Sequence, residues 1–157
     1  MTYWIVVGSE ENMRVAQSRG FDIFGFKSTR RREVSGMKPG DKLIFYLTGI
    51  MKFGGLAEVT SEYFEDRTPV FKAKPALSGA EGKPGETYPF RVKVKPEVIL
   101  EPEQYLDVKE IAPRLEYTKK WPAEHWRLAF QGNLHQIPSE DFEMIVGEMK
   151  AAVGARA

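Results

Sequence analysis

The sequence predicts an α+β protein whose mostly antiparallel, barrel-like sheet is flanked by helices. Strand-like runs begin near residues 3, 42, 53 and 88, and a short glycine-containing connection joins the middle two as a hairpin. Helix signals lie mainly towards the two ends of the chain, which is typical of an α+β arrangement. The 157 residues suffice for one core, so we expect a single domain over residues 1–150 and a frayed tail over residues 151–157.

Composition excludes several classes of site. The chain has no cysteine and two histidines, which excludes disulfides, cysteine nucleophiles and a histidine-rich metal centre, and we expect no cofactor. The net charge is +1, so a nucleic-acid partner requires a local basic patch. No run approaches the roughly 20 apolar residues of a membrane span. No basic leader precedes the first strand, so we expect a cytoplasmic protein without a membrane partner. The sequence does not specify the oligomeric state, for which we favour a monomer.

The N-terminal part predicts a strand and then a helix. Residues 3–7 form the strand-like run, and Ser9 has the character of an N-cap because the two glutamates after it lie where the helix dipole favours acids. Residues 21–26 are dense in aromatic side chains, and residues 27–32 contain four cations.

The central hairpin starts at the turn formed by residues 39–40, where proline fixes φ and glycine accepts a positive φ. Asp41 can close this turn with its side chain. Residues 42–48 then read as a strand that is apolar on both faces, which indicates cover on both sides. Tyr46 and Thr48 share a face and can line an interior, although core filler is the better interpretation for either residue alone. The two glycines at residues 54–55 predict a bulge or a close backbone approach.

The second half of the chain predicts a long surface excursion over residues 63–87 and then a strand. This strand, residues 88–95, alternates, with Arg91 and two lysines on a basic outer face. A short helix capped by Asp107 follows. We expect His135 in a surface loop.

Two further helices are expected near the C-terminus. The first carries Trp126 and Phe130 at i, i+4, with His125 in a packing or solvent role. The second begins near residues 138–139, where Asp141 and the glutamate before it serve as capping acids; the side chains expected to be buried are Phe142, Ile145 and Met149.

Aromatic residues lie next to cations in three separate places, at residues 24–32, 88–95 and 119–121. Nucleic-acid sites need both ingredients, because cations hold phosphates and flat rings stack on bases. Each cluster alone is also typical of a solvated basic face beside core aromatics. No phosphate loop, Gly-x-Ser-x-Gly or His-Glu-x-x-His motif occurs, so we expect a binding module rather than an enzyme.

Five runs in order along the chain resemble the EVE domain family, a relative of the YTH and PUA domains: residues 3–5, 38–46, 55–60, 86–94 and 134–142. The resemblance implies a PUA-like β-barrel with flanking helices and a pocket for one nucleobase of DNA or RNA, which in this family is linked to modified bases. Members usually have tryptophan at the position of Phe24. This chain also has Lys-Ser-Thr at residues 27–29, where a large branch has Arg-Asn-Tyr, so the identity of the ligand is not carried over.

The resulting hypothesis is a reader of a flipped, modified base in DNA or RNA. The residues expected to contact the base are Phe24, Gly25, Tyr46, Thr48, Trp121, Ser9 and Asn12. Among them, Phe24, Tyr46 and Trp121 are the expected aromatic walls of the base slot. The residues expected to contact phosphates are Lys27, Arg30, Arg31, Arg91 and Lys120.

Two alternatives stay open. PUA-like domains of the ASCH type are similar in fold, and some are small hydrolases or nucleases whose residue types are matched here by Lys27, Thr29 and Glu58. An enzyme needs a lysine and a carboxylate within hydrogen-bond reach inside a cleft. The other alternative is an aromatic cage for a methylated amine, which needs the same aromatic walls.

Overall fold

One mixed sheet of eight strands organises the part of the chain that the computed structural model describes, residues 2–11, 13–14, 23–26, 31–65, 90–130 and 134–154. The strands are β1 (Tyr3–Ser9), β2 (Ile23–Phe26), β3 (Lys42–Thr48), β4 (Lys52–Val59), β5 (Phe64–Glu65), β6 (Phe90–Ile99), β7 (Leu106–Asp107) and β8 (Leu134–Ile137). The main path runs β2-β6-β4-β3-β1-β8, while β5 pairs with β6 and β7 with β4.

The pairing is mostly antiparallel, as the sequence predicts, with β1 and β3 as the parallel pair. The α+β class is confirmed. The sheet, however, is open rather than a closed barrel over the described residues. The reason is that the two end strands of the main path, β2 and β8, do not pair with each other among the described residues.

Short helices surround the sheet. Helix α1 begins at Glu10 and is described at residues 10–11 and 13–14. The other helices are α2 (Arg31–Val34), α3 (Val108–Ile111) and α4 (Ser139–Gly154), and 3₁₀ turns cover Pro102–Gln104, Ala112–Arg114, Tyr117–Lys120 and Ala123–Phe130. Helix α4 continues into the stretch where fraying was expected. Over the described ranges, no helix has the length and apolar character to span a membrane.

The turn before β3 is held by the Asp41 side chain, as predicted. Gly40 has a φ of 97°, and the Asp41 amide donates to the carbonyl of Lys38 at 3.0 Å. The Asp41 carboxylate accepts from the Lys38 amide at 3.1 Å, the Thr2 amide at 3.0 Å and Nε1 of Trp4 at 3.2 Å. The residue that closes the turn therefore also fixes the start of β1 beside β3.

A bulge in β4 lies at Gly54, opposite the step from Phe45 to Tyr46. A Cβ at Gly54 would lie 2.8 Å from Cδ1 of Leu47 and 2.8 Å from Sδ of Met13. Such distances are too short for a side chain, so glycine allows α1 to pack directly on the hairpin. The bulge and close approach predicted for the two glycines are confirmed.

Two apolar clusters lie on the two faces of the sheet, and alternation along β1 divides its residues between them. Trp4 belongs to the cluster that also contains Leu43 and Phe45, whereas Ile5 belongs to the cluster beneath α4. Trp4 is 3% exposed, so it is a core residue of this cluster. The predicted burial of the α4 residues Phe142, Ile145 and Met149 is confirmed.

Strand β8 replaces the loop that the sequence predicted around His135. It pairs antiparallel with β1, with Tyr3 opposite Ile137 and Val6 opposite Leu134. The half-buried His135 has its Nδ1 2.9 Å from the Tyr117 hydroxyl oxygen. The loop prediction is wrong because a four-residue strand between helical segments shows no local periodicity.

Asp141 caps a neighbouring segment rather than its own helix. Its side chain is 1% exposed, with Oδ1 accepting from the Glu116 amide at 2.9 Å and Oδ2 from the Tyr117 amide at 2.8 Å. The carboxylate therefore satisfies backbone donors at the start of the 3₁₀ turn Tyr117–Lys120. A sequence pattern cannot identify a recipient 24–25 residues away along the chain.

Candidate functional site

A cavity of about 750 Å³ opens where the parallel strands β1 and β3 end, next to the 3₁₀ segment Ala123–Phe130. Its lining includes residues from both strands and from this segment: Val7, Tyr46, Thr48, Arg127, Leu128 and Phe130. The volume lies within the range of about 300–1,000 Å³ that is typical of small-molecule sites.

The strand register explains why these β1 and β3 side chains meet. Val7 lies beside Tyr46 and Ser9 beside Thr48 in the parallel pair, so all four side chains point to one face. Tyr46 and Thr48 both line the cavity, but Tyr46 is a buried core residue and Thr48 is exposed, so contact of either residue with a base stays a prediction. Ser9 is the last residue of β1, at the same end of the sheet.

An aromatic pair forms one wall of the cavity. The Tyr46 and Phe130 rings stack with centroids 5.0 Å apart and planes inclined by 13°. Tyr46 is 5% exposed, so its ring is largely covered. Burial raises the pKa of the Tyr46 hydroxyl, and the positive charge of Arg127 opposes part of that rise. The phenol is therefore neutral at pH 7, and no group of the described chain hydrogen-bonds to its oxygen.

Arg127 is an exposed cation in the lining of the same cavity. Within the described ranges, no carboxylate lies at ion-pair distance from its guanidinium. Its backbone is well supported, because the Tyr117 hydroxyl donates to the carbonyl of Ala129 at 2.9 Å and the Trp126 ring meets Phe130 edge-on at 6.2 Å. The segment is a kinked 3₁₀ turn rather than the predicted regular helix, with non-helical angles at His125.

The β3–β4 turn completes the lining with Gly49 and Met51. Gly49 has a φ of 89° and Met51 a φ of 54°, which is uncommon for a residue with a side chain. The Met51 carbonyl accepts from the Val108 amide at 3.1 Å, so α3 holds the turn in place. Leu128, also in the lining, is an apolar side chain that is 43% exposed.

The other two predicted aromatic walls, Phe24 and Trp121, are not among the described residues that line this cavity. Trp121 is half-buried against Tyr117, with ring centroids 5.7 Å apart, and is not among the described lining residues. Phe24 lies in β2, paired with Val92, and its side chain is outside the described part of the structure.

The register separates β2 from Tyr46 along the sheet. Tyr46 pairs with Phe53 near one end of β4, whereas the part of β6 that binds β2 continues past Val59, the other end of β4. The slot that would unite Phe24 and Trp121 with Tyr46 stays a prediction. Gly25 follows Phe24 on β2 and pairs with Arg91, so the register separates it from Tyr46 in the same way.

The predicted phosphate contacts have separate outcomes. Lys27 and Arg30 lie outside the described residues, and only the backbone of Arg31 is described, in α2. Asn12, which was expected to contact the base, and Thr29, which was named for the hydrolase alternative, also lie outside the described residues. Lys120 is exposed. Arg91 is 2% exposed, so its predicted place on an exposed basic face is wrong. The reason is that β2 and β5 both pair with β6 at Arg91, whereas Lys93 and Lys95 are exposed as expected.

A lysine and two carboxylates do meet on the sheet, but away from the described lining of the cavity. Lys42 Nζ donates to Glu58 at 2.7 Å and also to Glu97, which connects β3, β4 and β6. Burial lowers the pKa of Lys42, but these two carboxylates outweigh it and the net pKa is raised. The described residues therefore favour a cross-strand ion pair here over a hydrolase centre.

Sequence reasoning missed Arg127, Leu128 and Phe130 as a group facing Tyr46. One signal was present, because Arg127 follows Trp126 directly and thus repeats the aromatic-next-to-cation pattern found elsewhere. The helical periodicity of Trp126 and Phe130 drew attention to packing instead.

The family model of the EVE domain matches residues 2–148. The chain belongs to the EVE domain family. This EVE domain is 33% identical over 155 residues to a UPF0310 protein from Pyrococcus horikoshii, a match that covers 92% of this chain and 97% of the relative. A UPF0310 protein from Pyrococcus abyssi is 30% identical over 154 residues, with 92% and 97% covered.

Solved YTH structures share the fold of this EVE domain. The YTH domain-containing protein mmi1, solved in a complex with RNA, aligns with a TM-score of 0.63 at 15% identity, over 99% of this chain and 85% of that one. The YTH domain of Zygosaccharomyces rouxii MRB1, in complex with N6-methyladenosine RNA, aligns with a TM-score of 0.61 at 16% identity, over 93% and 84%. The expected relationship to YTH domains is confirmed at the level of the fold.

Proposed function

We propose that this EVE domain is a nucleic-acid-binding module and that its cavity accepts one flipped, modified nucleobase of RNA or DNA. The observation that carries the proposal is the cavity itself. It combines apolar and aromatic walls with a phenol hydroxyl and an exposed guanidinium, neither of which has a hydrogen-bonding or ionic partner in the described chain.

The energetics of such a site are reasonable. Flipping a base out of its stack costs a few kcal/mol, and contact with aromatic side chains returns about 1–3 kcal/mol per base. The remaining free energy must come from burial of apolar surface and from phosphate contacts. Leu128 and Met51 supply apolar surface at the cavity, and Arg127 supplies a cation beside it.

The comparisons support the same class of ligand. RNA is present in the mmi1 complex and N6-methyladenosine RNA in the MRB1 complex, and both proteins share this fold. The two alternatives gain less support. The described lining has neither a lysine nor a carboxylate for hydrolysis, and the charge of Arg127 opposes binding of a methylated ammonium group.

A binding screen tests the proposal. Labelled single-stranded RNA and DNA oligonucleotides would differ only at one central base, which is unmodified, N6-methylated adenine, or a methylated or oxidised pyrimidine. Fluorescence anisotropy should detect binding, with a preference for at least one modified base. Equal affinity for every oligonucleotide would argue against base reading, and no binding would argue against a nucleic-acid partner.

A matched pair of variants tests the location of the site. Thr48→Trp places a large side chain at the cavity and should weaken binding at least tenfold. Thr60→Trp changes the same residue type at an exposed position after the other end of β4 and should leave the affinity unchanged. If both variants bind like the wild type, the base enters elsewhere on the domain.

A further inference from the structure

The side chains of Tyr46 and Arg127 both line the cavity but differ in burial, which indicates that they bind different parts of a ligand. The Tyr46 side chain is 5% exposed and its hydroxyl has no described hydrogen-bond partner. Arg127 is exposed and forms no ion pair with the described carboxylates, yet its charge acts on Tyr46. One donor therefore belongs to a largely buried side chain of the cavity lining, and the other belongs to an exposed side chain of the same lining.

We propose, building on the proposed function, that the two residues divide recognition of one nucleotide: Tyr46 donates a hydrogen bond to an acceptor on the inserted base, and Arg127 binds the phosphate beside it. The sequence analysis predicted no role for Arg127. For Tyr46, the proposed role changes from an aromatic wall of the slot to a hydrogen-bond donor.

The geometry of the aromatic pair supports the role of Tyr46. Phe130 covers one face of the Tyr46 ring at a centroid distance of 5.0 Å, and Phe53 approaches it edge-on at 6.0 Å. With these contacts the ring is held in the core, and its polar atom is the part suited to a ligand. The Tyr46 hydroxyl has no partner in the described chain and is free to donate to a ligand acceptor. A site that offers such a donor favours a base with an acceptor over a base without one.

The surroundings of Arg127 support a phosphate contact. An exposed guanidinium remains hydrated in the free protein, so binding does not require a buried, unpaired charge. Arginine can bind phosphate oxygens through two parallel hydrogen bonds. The stacked Phe130 and the bond from Tyr117 to the Ala129 carbonyl fix the backbone on its C-terminal side, which limits the entropy lost on binding.

The two roles make different predictions about salt. Arg127→Ala should weaken binding of every oligonucleotide in the panel about tenfold, because a charge-assisted hydrogen bond is lost. It should also reduce the slope of log K against log salt by about 0.7 for a single strand. Tyr46→Phe should weaken only the preferred oligonucleotide, about three- to tenfold, with an unchanged salt slope.

Control variants separate charge from geometry. Arg127→Lys should retain the salt slope and lose part of the affinity, because lysine keeps the positive charge but cannot form the two parallel hydrogen bonds of a guanidinium. Arg114→Ala removes an exposed arginine that already pairs with Glu148 at 3.2 Å, and it should change neither quantity. Thermal unfolding of each variant would show that the proteins compared are folded.

The outcomes distinguish this inference from the proposed function. If the wild type binds and Arg127→Ala keeps both its affinity and its salt slope, Arg127 does not bind phosphate although the module still binds nucleic acid. If Tyr46→Phe weakens all oligonucleotides equally, Tyr46 does not read the base. If the wild type binds no oligonucleotide, both proposals are overturned.

Discussion

The Tyr46 ring stacks on the Phe130 ring across the junction between the sheet and the 3₁₀ segment Ala123–Phe130, with centroids 5.0 Å apart. The two residues lie far apart in the chain, and their contact positions Arg127 beside the end of β3. Stability and the shape of the cavity therefore depend on the same pair of rings.

The stacked pair should show a measurable coupling. Tyr46→Ala and Phe130→Ala should each lower the free energy of unfolding by about 3–5 kcal/mol, and the double variant should reveal a coupling of about 0.5–1.5 kcal/mol. Urea unfolding measures all three values. Leu128→Ala, at an exposed neighbour, should change stability by at most about 0.5 kcal/mol. Strict additivity of the two ring deletions would contradict the coupling.

Asp41 should be among the polar residues most important for stability. Asp41→Ala leaves three donors without their acceptor, two backbone amides and Nε1 of Trp4, and should cost about 3 kcal/mol or more. Asp107→Ala is the control, because that side chain accepts one bond from the Lys109 amide and should cost about 1 kcal/mol. Equal losses in chemical denaturation would show that the Asp41 network contributes no more than an ordinary cap.

Two neighbouring acids at the start of α4 should respond differently to loss of charge. Asp141→Asn should lower stability by about 2–3 kcal/mol, because one of two amide donors then faces an NH₂ group at a buried position. Glu140→Gln, at an exposed position, should change it by at most about 0.5 kcal/mol. A larger loss of stability for Glu140→Gln than for Asp141→Asn would indicate that these acids stabilise the protein through the α4 dipole rather than through the two amide bonds.

Stability at alkaline pH should depend on Tyr105. Burial, together with the hydrogen bond that its hydroxyl donates to Glu10 Oε2 at 3.0 Å, raises the pKa of Tyr105 to about 12. The unfolded chain loses this proton near pH 10, so between about pH 10 and 12 the folded state holds one proton more. The free energy of unfolding therefore falls as pH rises through this window.

Tyr105→Phe removes the titrating hydroxyl, so the free energy of unfolding should fall less steeply with pH in this window. Unfolding curves at a series of pH values from 8 upwards would measure the slope for wild type and variant. Glu10→Gln removes the charged acceptor and should give an intermediate slope. Parallel pH profiles for wild type and Tyr105→Phe would show that the phenol does not contribute to the alkaline loss.

The wider aromatic slot predicted from the sequence also needs a direct test. Phe24→Ala and Trp121→Ala should each cost about 1–3 kcal/mol of affinity for the preferred oligonucleotide if these rings contact the base, with little loss of stability. Paired titrations and unfolding curves would separate the two effects. A variant that loses stability but binds normally has lost a packing residue, which is the outcome that the contact of Trp121 with Tyr117 favours.

Local sequence chemistry by itself determined the turn at Gly40, the strand that follows it, the bulge at Gly54 and the buried face of α4. Each depends on residues a few positions apart, whose backbone preferences and periodicity are visible in the chain. It also determined the likeness to the EVE domain family, which the match over residues 2–148 confirms.

Tertiary structure alone decided the parallel pairing of β1 with β3, the position of β8, the burial of Arg91 and the target of the Asp141 carboxylate. It also brought Arg127 to the cavity. These features depend on contacts between distant segments, and a side chain's own neighbours in sequence do not specify which strand edge or backbone amide it will meet. Long-range register and burial are properties of the assembled sheet, so only the folded chain defines them.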